Sequence, residues 1–213
     1  HDAANTASVT SHQTASANRY YNETFCTGTK LTNAPFATGS AGTGADPHQI
    51  CTVAQLYAID DQAGYLTANY KLARDIDLAS GPGIPIGTSS SSFSGTLDGQ
   101  LHALKNLNVS AASTTYRGLF ASVTTPGIVK NLILDSVNVR GGQILGPVAG
   151  YVSGTINRVG VIGPSMVFPT TASWDASGGL VGYLYKPGVI EESYVENGMT
   201  VTSPSSNQAG GIA

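Results

Sequence analysis

The chain has 213 residues; 41% are hydrophobic, only 11% are charged, and glycine and proline number 26 and 10. That apolar content speaks against disorder, and no apolar run approaches the ~20 residues of a membrane-spanning helix. Ten Lys and Arg against thirteen Asp and Glu leave a net charge of −3, and without a basic cluster the chain does not suit nucleic-acid binding, which relies on counterion release.

Residues 1–24 are polar, rich in Ala, Ser and Thr, and without periodicity. They read as an N-terminal arm, with Tyr20, Tyr21 and Phe25 as docking points. His1 is not a natural initiator, so the chain reads as a processed or excised segment of a longer polypeptide. Cys26 and Cys51 bracket a stretch rich in Gly, Ser, Thr and Pro with no metal-ligand spacing. A disulfide is the preferred reading, stabilising by about 3 kcal/mol and implying an oxidising compartment; two unpaired thiols are the alternative. Residues 1–49 are therefore assigned to the arm and a Cys-bridged loop.

A short helix is predicted within residues 50–64. Thr52-Val53-Ala54-Gln55 matches a capping box, Val53, Leu56, Tyr57 and Ile59 form one apolar face, and Gly64 is the stop. The helix falls where a stack of strands needs a cap. Residues 65–213 then become short strands and turns, among them Tyr70-Lys71-Leu72, Asp75-Ile76-Asp77-Leu78, Ile128-Val129-Lys130 and Thr155-Ile156-Asn157.

A Gly-rich phrase recurs in this region with a period of about 32 residues. Gly178-Gly179-Leu180-Val181-Gly182-Tyr183 is the clearest copy, Gly146-Pro147-Val148-Ala149-Gly150-Tyr151 precedes it, Arg117-Gly118-Leu119-Phe120 is a looser copy, and Gly210-Gly211-Ile212 begins another. One such unit cannot bury its apolar face alone, whereas stacked units can, through parallel strands. The fold class predicted is all-β, a parallel β-solenoid in which the glycines permit positive φ at corners and close approach between coils. Tyr151 and Tyr183, one repeat apart, should form a ladder.

The Gly-Gly-Leu-Val-Gly-Tyr phrase, followed by a strand at Gly188-Val189-Ile190 or Gly154-Thr155-Ile156, resembles the GLUG-motif repeat family. The lead-in from Asp75 to Asp77, with Pro85-Ile86-Gly87 and Phe93-Ser94-Gly95-Thr96-Leu97-Asp98-Gly99, is similar to what precedes such repeats. The resemblance implies a right-handed β-solenoid (β-helix) in secreted or surface proteins of bacteria, such as adhesins and fibre proteins, and in non-catalytic parts of IgA-specific metallopeptidases.

Chemistry is sparsely signalled. His1, His12, His48 and His102 are isolated, with no zinc-peptidase pattern. Asp75 and Asp77 share one face of a strand and are weak candidates for metal binding or for an acid–base pair, with Lys71 and Arg74 nearby; the competing reading has both at a corner while Ile76 and Leu78 enter the core. Glu191 and Glu192 are adjacent on a strand and point to opposite faces. Trp174 and Asp175 lie in an apparent insertion at residues 169–175 and are the candidate ligand-binding pair, since insertions in solenoids form exposed loops.

Together these features point to a non-enzymatic bacterial cell-surface or fibre module for adhesion or recognition. Its expected partners are a host or prey surface glycan or protein, and further copies of itself in a trimeric fibre; no cofactor is expected. A carbohydrate-active β-helix enzyme using Asp75 and Asp77, or a structural spacer, are the alternatives.

Overall fold

The computed structural model describes residues 25–110, 115–169, 176–202 and 208–212. The short strands stack as a parallel β-solenoid. Its main sheet runs through His48–Ile50, Asn69–Leu72, Thr96–Asp98, Ile128–Asp135, Thr155–Ile162 and Val189–Glu191 in that order. Each neighbour is one coil further along the chain, and every pairing is parallel.

Three smaller sheets complete the circuit. One holds Asn108–Val109, Asn138–Arg140, Ser165–Phe168 and Met199–Val201. The next holds Tyr116–Arg117, Ile144–Leu145, Ala176–Gly178 and Gln208–Gly210, and the last Phe120–Val123, Ala149–Val152 and Val181–Leu184.

The core follows from this register. Tyr70, Leu97, Val129 and Ile156 occupy equivalent positions on successive main-sheet strands and are all buried. Ile76, Leu104, Leu134 and Val161 make a second buried column, and Val109, Val139 and Val167 a third. Branched side chains stacked at the strand spacing fill the interior at each level, which a single coil could not do.

The glycines of the recurring phrase have one job and not two. None of Gly118, Gly146, Gly150, Gly178 and Gly182 has a positive φ. A Cβ on Gly150 would lie 2.5 Å from the Ile144 carbonyl oxygen, and one on Gly182 would lie 2.6 Å from the Leu145 nitrogen. They allow close approach of backbone to backbone. Left-handed corners are made elsewhere, by Asn131, Arg158 and Glu192 with φ of 50°, 52° and 47°. After Asp98, the turn places its positive φ on Gln100 and Leu101 (51° and 63°), and His102 N donates to Gly99 O at 2.8 Å. Gly99 itself is needed because a Cβ would meet Asn131 O at 2.5 Å.

The N-terminal end differs from the sequence reading in detail. The α-helix spans only Val53–Tyr57, and the chain continues through 3₁₀ turns at Ala58–Asp60 and Tyr65–Thr67. Leu56, Ile59 and Leu66 are all buried, so the segment tightens to follow the end of the core rather than continuing one helical face. Thr52 accepts from Gln55 N at 3.2 Å, but Gln55 Oε1 accepts from Cys51 N at 2.8 Å, one residue earlier than a capping box requires. Gln55 Nε2 donates to Lys30 O and Asn33 O at 2.8 and 2.9 Å, tying the preceding loop to the helix.

Cys26 and Cys51 form a disulfide. The strand His48–Ile50 precedes the helix and already pairs with Asn69–Leu72, so the sheet begins inside the segment read as loop. Phe36 stacks on His48 with ring centroids 4.2 Å apart and meets Tyr65 and Tyr70 edge-on. The end is thus closed by an aromatic plug as well as by the helix. The predicted arm, residues 1–24, lies outside the described residues. Among the described residues no helix is long and apolar enough to cross a membrane.

Candidate functional site

Asp75 and Asp77 are both committed to contacts with the next coil. Asp75 Oδ1 accepts from Ala103 N at 3.0 Å and lies 3.2 Å from His102 Nδ1, while Lys105 Nζ is 3.0 Å from Asp75 Oδ2. Burial pushes the Asp75 carboxyl up, but the bonds from His102, Ala103 and Lys105 and the Lys105 charge outweigh it. They hold the carboxyl well below the usual carboxylate range. Asp77 Oδ1 accepts from Asn106 Nδ2 and from Ala79 N, both at 2.9 Å, and these bonds lower its pKa. Ile76 and Leu78 are buried between and beyond them. Lys71 and Arg74, the cations nearest in sequence, make no ion pair with either carboxylate among the described residues; Lys105, one coil away, pairs with Asp75.

The outward face of the main sheet carries a polar column. Gln49, Lys71, Asp98, Lys130, Asn157 and Glu191 are in register across six strands. Asp98 sits between two lysines, with Lys130 Nζ 3.5 Å from its Oδ2, an opposite-charge cross-strand arrangement of modest worth. Lys71, Asp98 and Lys130, with Asn69, Thr96 and Gln100, line a groove of about 300 Å³ rimmed by Gly44 and Pro47. Asn157 Nδ2 donates to Glu191 Oε2 at 3.0 Å. Glu192, at the left-handed corner, faces Arg158 at 3.2 Å instead, so the two glutamates do not act as a pair.

The predicted tyrosine ladder is present and larger than expected. Tyr151 and Tyr183 are in register with ring centroids 6.0 Å apart. Tyr116 joins from the preceding coil at 5.6 Å from Tyr151, and Tyr185 stacks on both Tyr151 and Tyr183 at 6.1 and 6.4 Å. Tyr185 is 54% exposed and the other three are half-buried.

Trp174 and Asp175 lie outside the described residues, as do His1 and His12. Of the remaining histidines, His48 Nδ1 is 3.0 Å from Ser40 Oγ, and His102 is fully buried. Among the described residues no three His, Cys, Asp or Glu side chains converge as a metal-ligating group. The sequence reading missed His102, Lys105, Tyr116 and Tyr185 as site residues. The one available signal was spacing: His102 follows Asp75 by 27 residues, about one coil.

The class defined by these observations is a parallel β-solenoid whose acidic residues join coils and whose surface presents a tyrosine cluster. The chain is similar to known proteins over part of its length. It is 32% identical over 164 residues to Halomucin of Haloquadratum walsbyi, an alignment covering 71% of this chain and 2% of that protein. It is 34% identical over 134 residues to a provisionally named Gly-rich membrane protein of Evansella cellulosilytica, covering 58% of this chain and 15% of that protein. The chain thus spans a small fraction of the length of either relative. Among solved structures, a crystal structure of a provisionally named immunoglobulin A1 protease from Bacteroides ovatus aligns with a TM-score of 0.58 and 16% identity. The alignment covers 82% of this chain and 67% of that one, a likeness of fold alone. No protein-family model matches the chain.

Proposed function

We propose that this chain is a non-enzymatic recognition module of a cell-surface or secreted protein, built from repeats of the GLUG type that it resembles. The observation that carries this reading is the use made of its acidic residues. The carboxylates of Asp75 and Asp77 accept hydrogen bonds that join one coil to the next, while aromatic and polar side chains are what the stack presents to solvent. The Cys26–Cys51 bridge supports an oxidising, extracytoplasmic setting. So does the likeness to a protein named for a membrane.

The test is adhesion. Beads coated with the purified chain are expected to be retained on cells or on immobilised surface glycans and proteins, above beads coated with an unrelated solenoid. Retention no better than the control would favour a spacer. Polysaccharide cleavage by the chain, abolished in Asp77→Asn, would favour the enzyme reading instead. Light scattering checks self-association, for which a trimer is the expected state.

A further inference from the structure

We infer that Tyr116, Tyr151, Tyr183 and Tyr185 form a carbohydrate-binding platform that takes a neutral pyranose chain. The inference rests on the recognition reading and names the ligand class and the place where it would bind.

The four rings are nearly parallel. Interplanar angles are 18° for Tyr116–Tyr151, 25° for Tyr151–Tyr183, 29° for Tyr151–Tyr185 and 23° for Tyr183–Tyr185. Three of them belong to successive coils, so their spacing is set by the register of the stack. Tyr185 is different. It is two residues beyond Tyr183, outside the ladder register, in a turn closed by Gly188 N donating to Tyr185 O at 2.7 Å. A ladder needs no fourth ring, and this one remains more than half exposed beside the others.

The phenolic ends gather together as well. The Tyr151 hydroxyl pKa is raised first by burial and then by the nearby Tyr185, Tyr116 and Tyr183 phenols, with an opposing hydrogen bond from Ser153. The result is a patch with apolar ring surface and several hydroxyls that each donate and accept. A pyranose has the complementary make-up, a C–H face that lies on an aromatic ring and hydroxyls that both donate and accept.

Other occupants fit less well. The ladder itself carries no charge, which favours a neutral ligand over an anionic one; the lysine-lined groove around Asp98 is the more suitable place for an anion. A protein partner needs about 800 Å² on each side. A tyrosine buries roughly 150–250 Å² in full, and three of these four are already half-buried, so the patch alone offers far less than that. Stacked neighbours also hold the rotamers in place, so little side-chain entropy remains to be lost on binding.

The experiment is calorimetric titration of the intact chain with cellohexaose, xylohexaose, mannohexaose and chitohexaose, repeated on Tyr185→Ala, Tyr183→Ala, Tyr185→Phe and Lys71→Ala. At least one oligosaccharide is expected to bind. Tyr185→Ala and Tyr183→Ala should each weaken it by ~10-fold or more, equivalent to about 1.4 kcal/mol; Tyr185→Phe should weaken it less, and Lys71→Ala should leave it unchanged. Should Tyr183→Ala fail to fold, Tyr185→Ala keeps the test, because its side chain is exposed. Binding that survives Tyr185→Ala, or that falls with Lys71→Ala, overturns the platform and leaves the recognition reading standing. So does adhesion of chain-coated beads with no binding of any of the four oligosaccharides. Beads that fail to adhere remove the recognition reading itself.

Discussion

Asp75 Oδ1 lies 3.2 Å from His102 Nδ1 although 27 residues separate the two in sequence. The contact joins adjacent coils at the level where Ile76 and Leu104 pair inside. With Ala103 N and Lys105 Nζ it makes Asp75 the most heavily bonded carboxylate among the described residues.

Because the Asp75 carboxyl is held below its usual range, its contribution to stability is present above the unfolded-state pKa of about 3.9. It is lost as pH falls from there through the lower folded-state value. Asp75→Asn is expected to lower stability at pH 7 by about 2 kcal/mol and to flatten the pH dependence between roughly 4 and 2. Urea unfolding across that range checks both; a parallel loss in wild type and variant below pH ~4 would show that other carboxylates carry the acid response.

Gln55 is buried and serves three backbone groups, Cys51 N, Lys30 O and Asn33 O. Gln55→Leu keeps the volume but leaves those groups unpartnered, so a loss of about 3 kcal/mol is expected, read as a lowered midpoint in chemical denaturation. A change under ~0.5 kcal/mol would mean that water replaces the side chain.

The Cys26–Cys51 bridge closes the same loop onto the helix. Paired Cys26→Ser and Cys51→Ser substitutions should cost about 3 kcal/mol, and reducing agent should lower the melting temperature of the wild type but not of the variant.

Leu101 has φ of 63° and is 37% exposed, so its side chain strains the backbone while burying little. Leu101→Gly is expected to raise stability by about 1 kcal/mol, the left-handed penalty of an L-residue less the extra freedom of glycine in the unfolded chain. Thermal unfolding measures it, and a lower midpoint would show that packing at Leu101 outweighs the strain.

Gly182 carries the opposite lesson. A Cβ there would lie 2.6 Å from Leu145 N and 2.8 Å from Gly150 O, both backbone atoms that cannot rotate away. Gly182→Ala should destabilise by about 2–3 kcal/mol, seen as a lower denaturation midpoint; an unchanged midpoint would mean that the coils can separate locally.

Much of the architecture was legible because it is periodic. The spacing of the phrases around Leu119, Val148 and Leu180 reappears as a physical stack, with Leu119 N bonded to Pro147 O and Val148 N to Leu180 O. The alternation at Asn69–Leu72 places Tyr70 and Leu72 inside. Less was legible at the corners. Glycine is the usual left-handed residue, yet Asn131, Arg158 and Glu192 turn the chain there, while the phrase glycines serve close approach. The strand at His48–Ile50 escaped notice because three residues hold too little alternation to stand out from a loop.

By itself the sequence determined the parallel stack, the tyrosines one repeat apart and the absence of a basic face, because repeat period and composition are local properties of the chain. Only the tertiary structure decided which residues meet across coils: His102 and Lys105 on Asp75, Tyr116 and Tyr185 beside the ladder, and Lys71 and Lys130 flanking Asp98. The physical reason is that coils differ in length. The register steps from His48 to Tyr70 and from Thr155 to Val189 are unequal, so the partner of a given side chain is set by how each coil closes and not by a fixed count along the sequence.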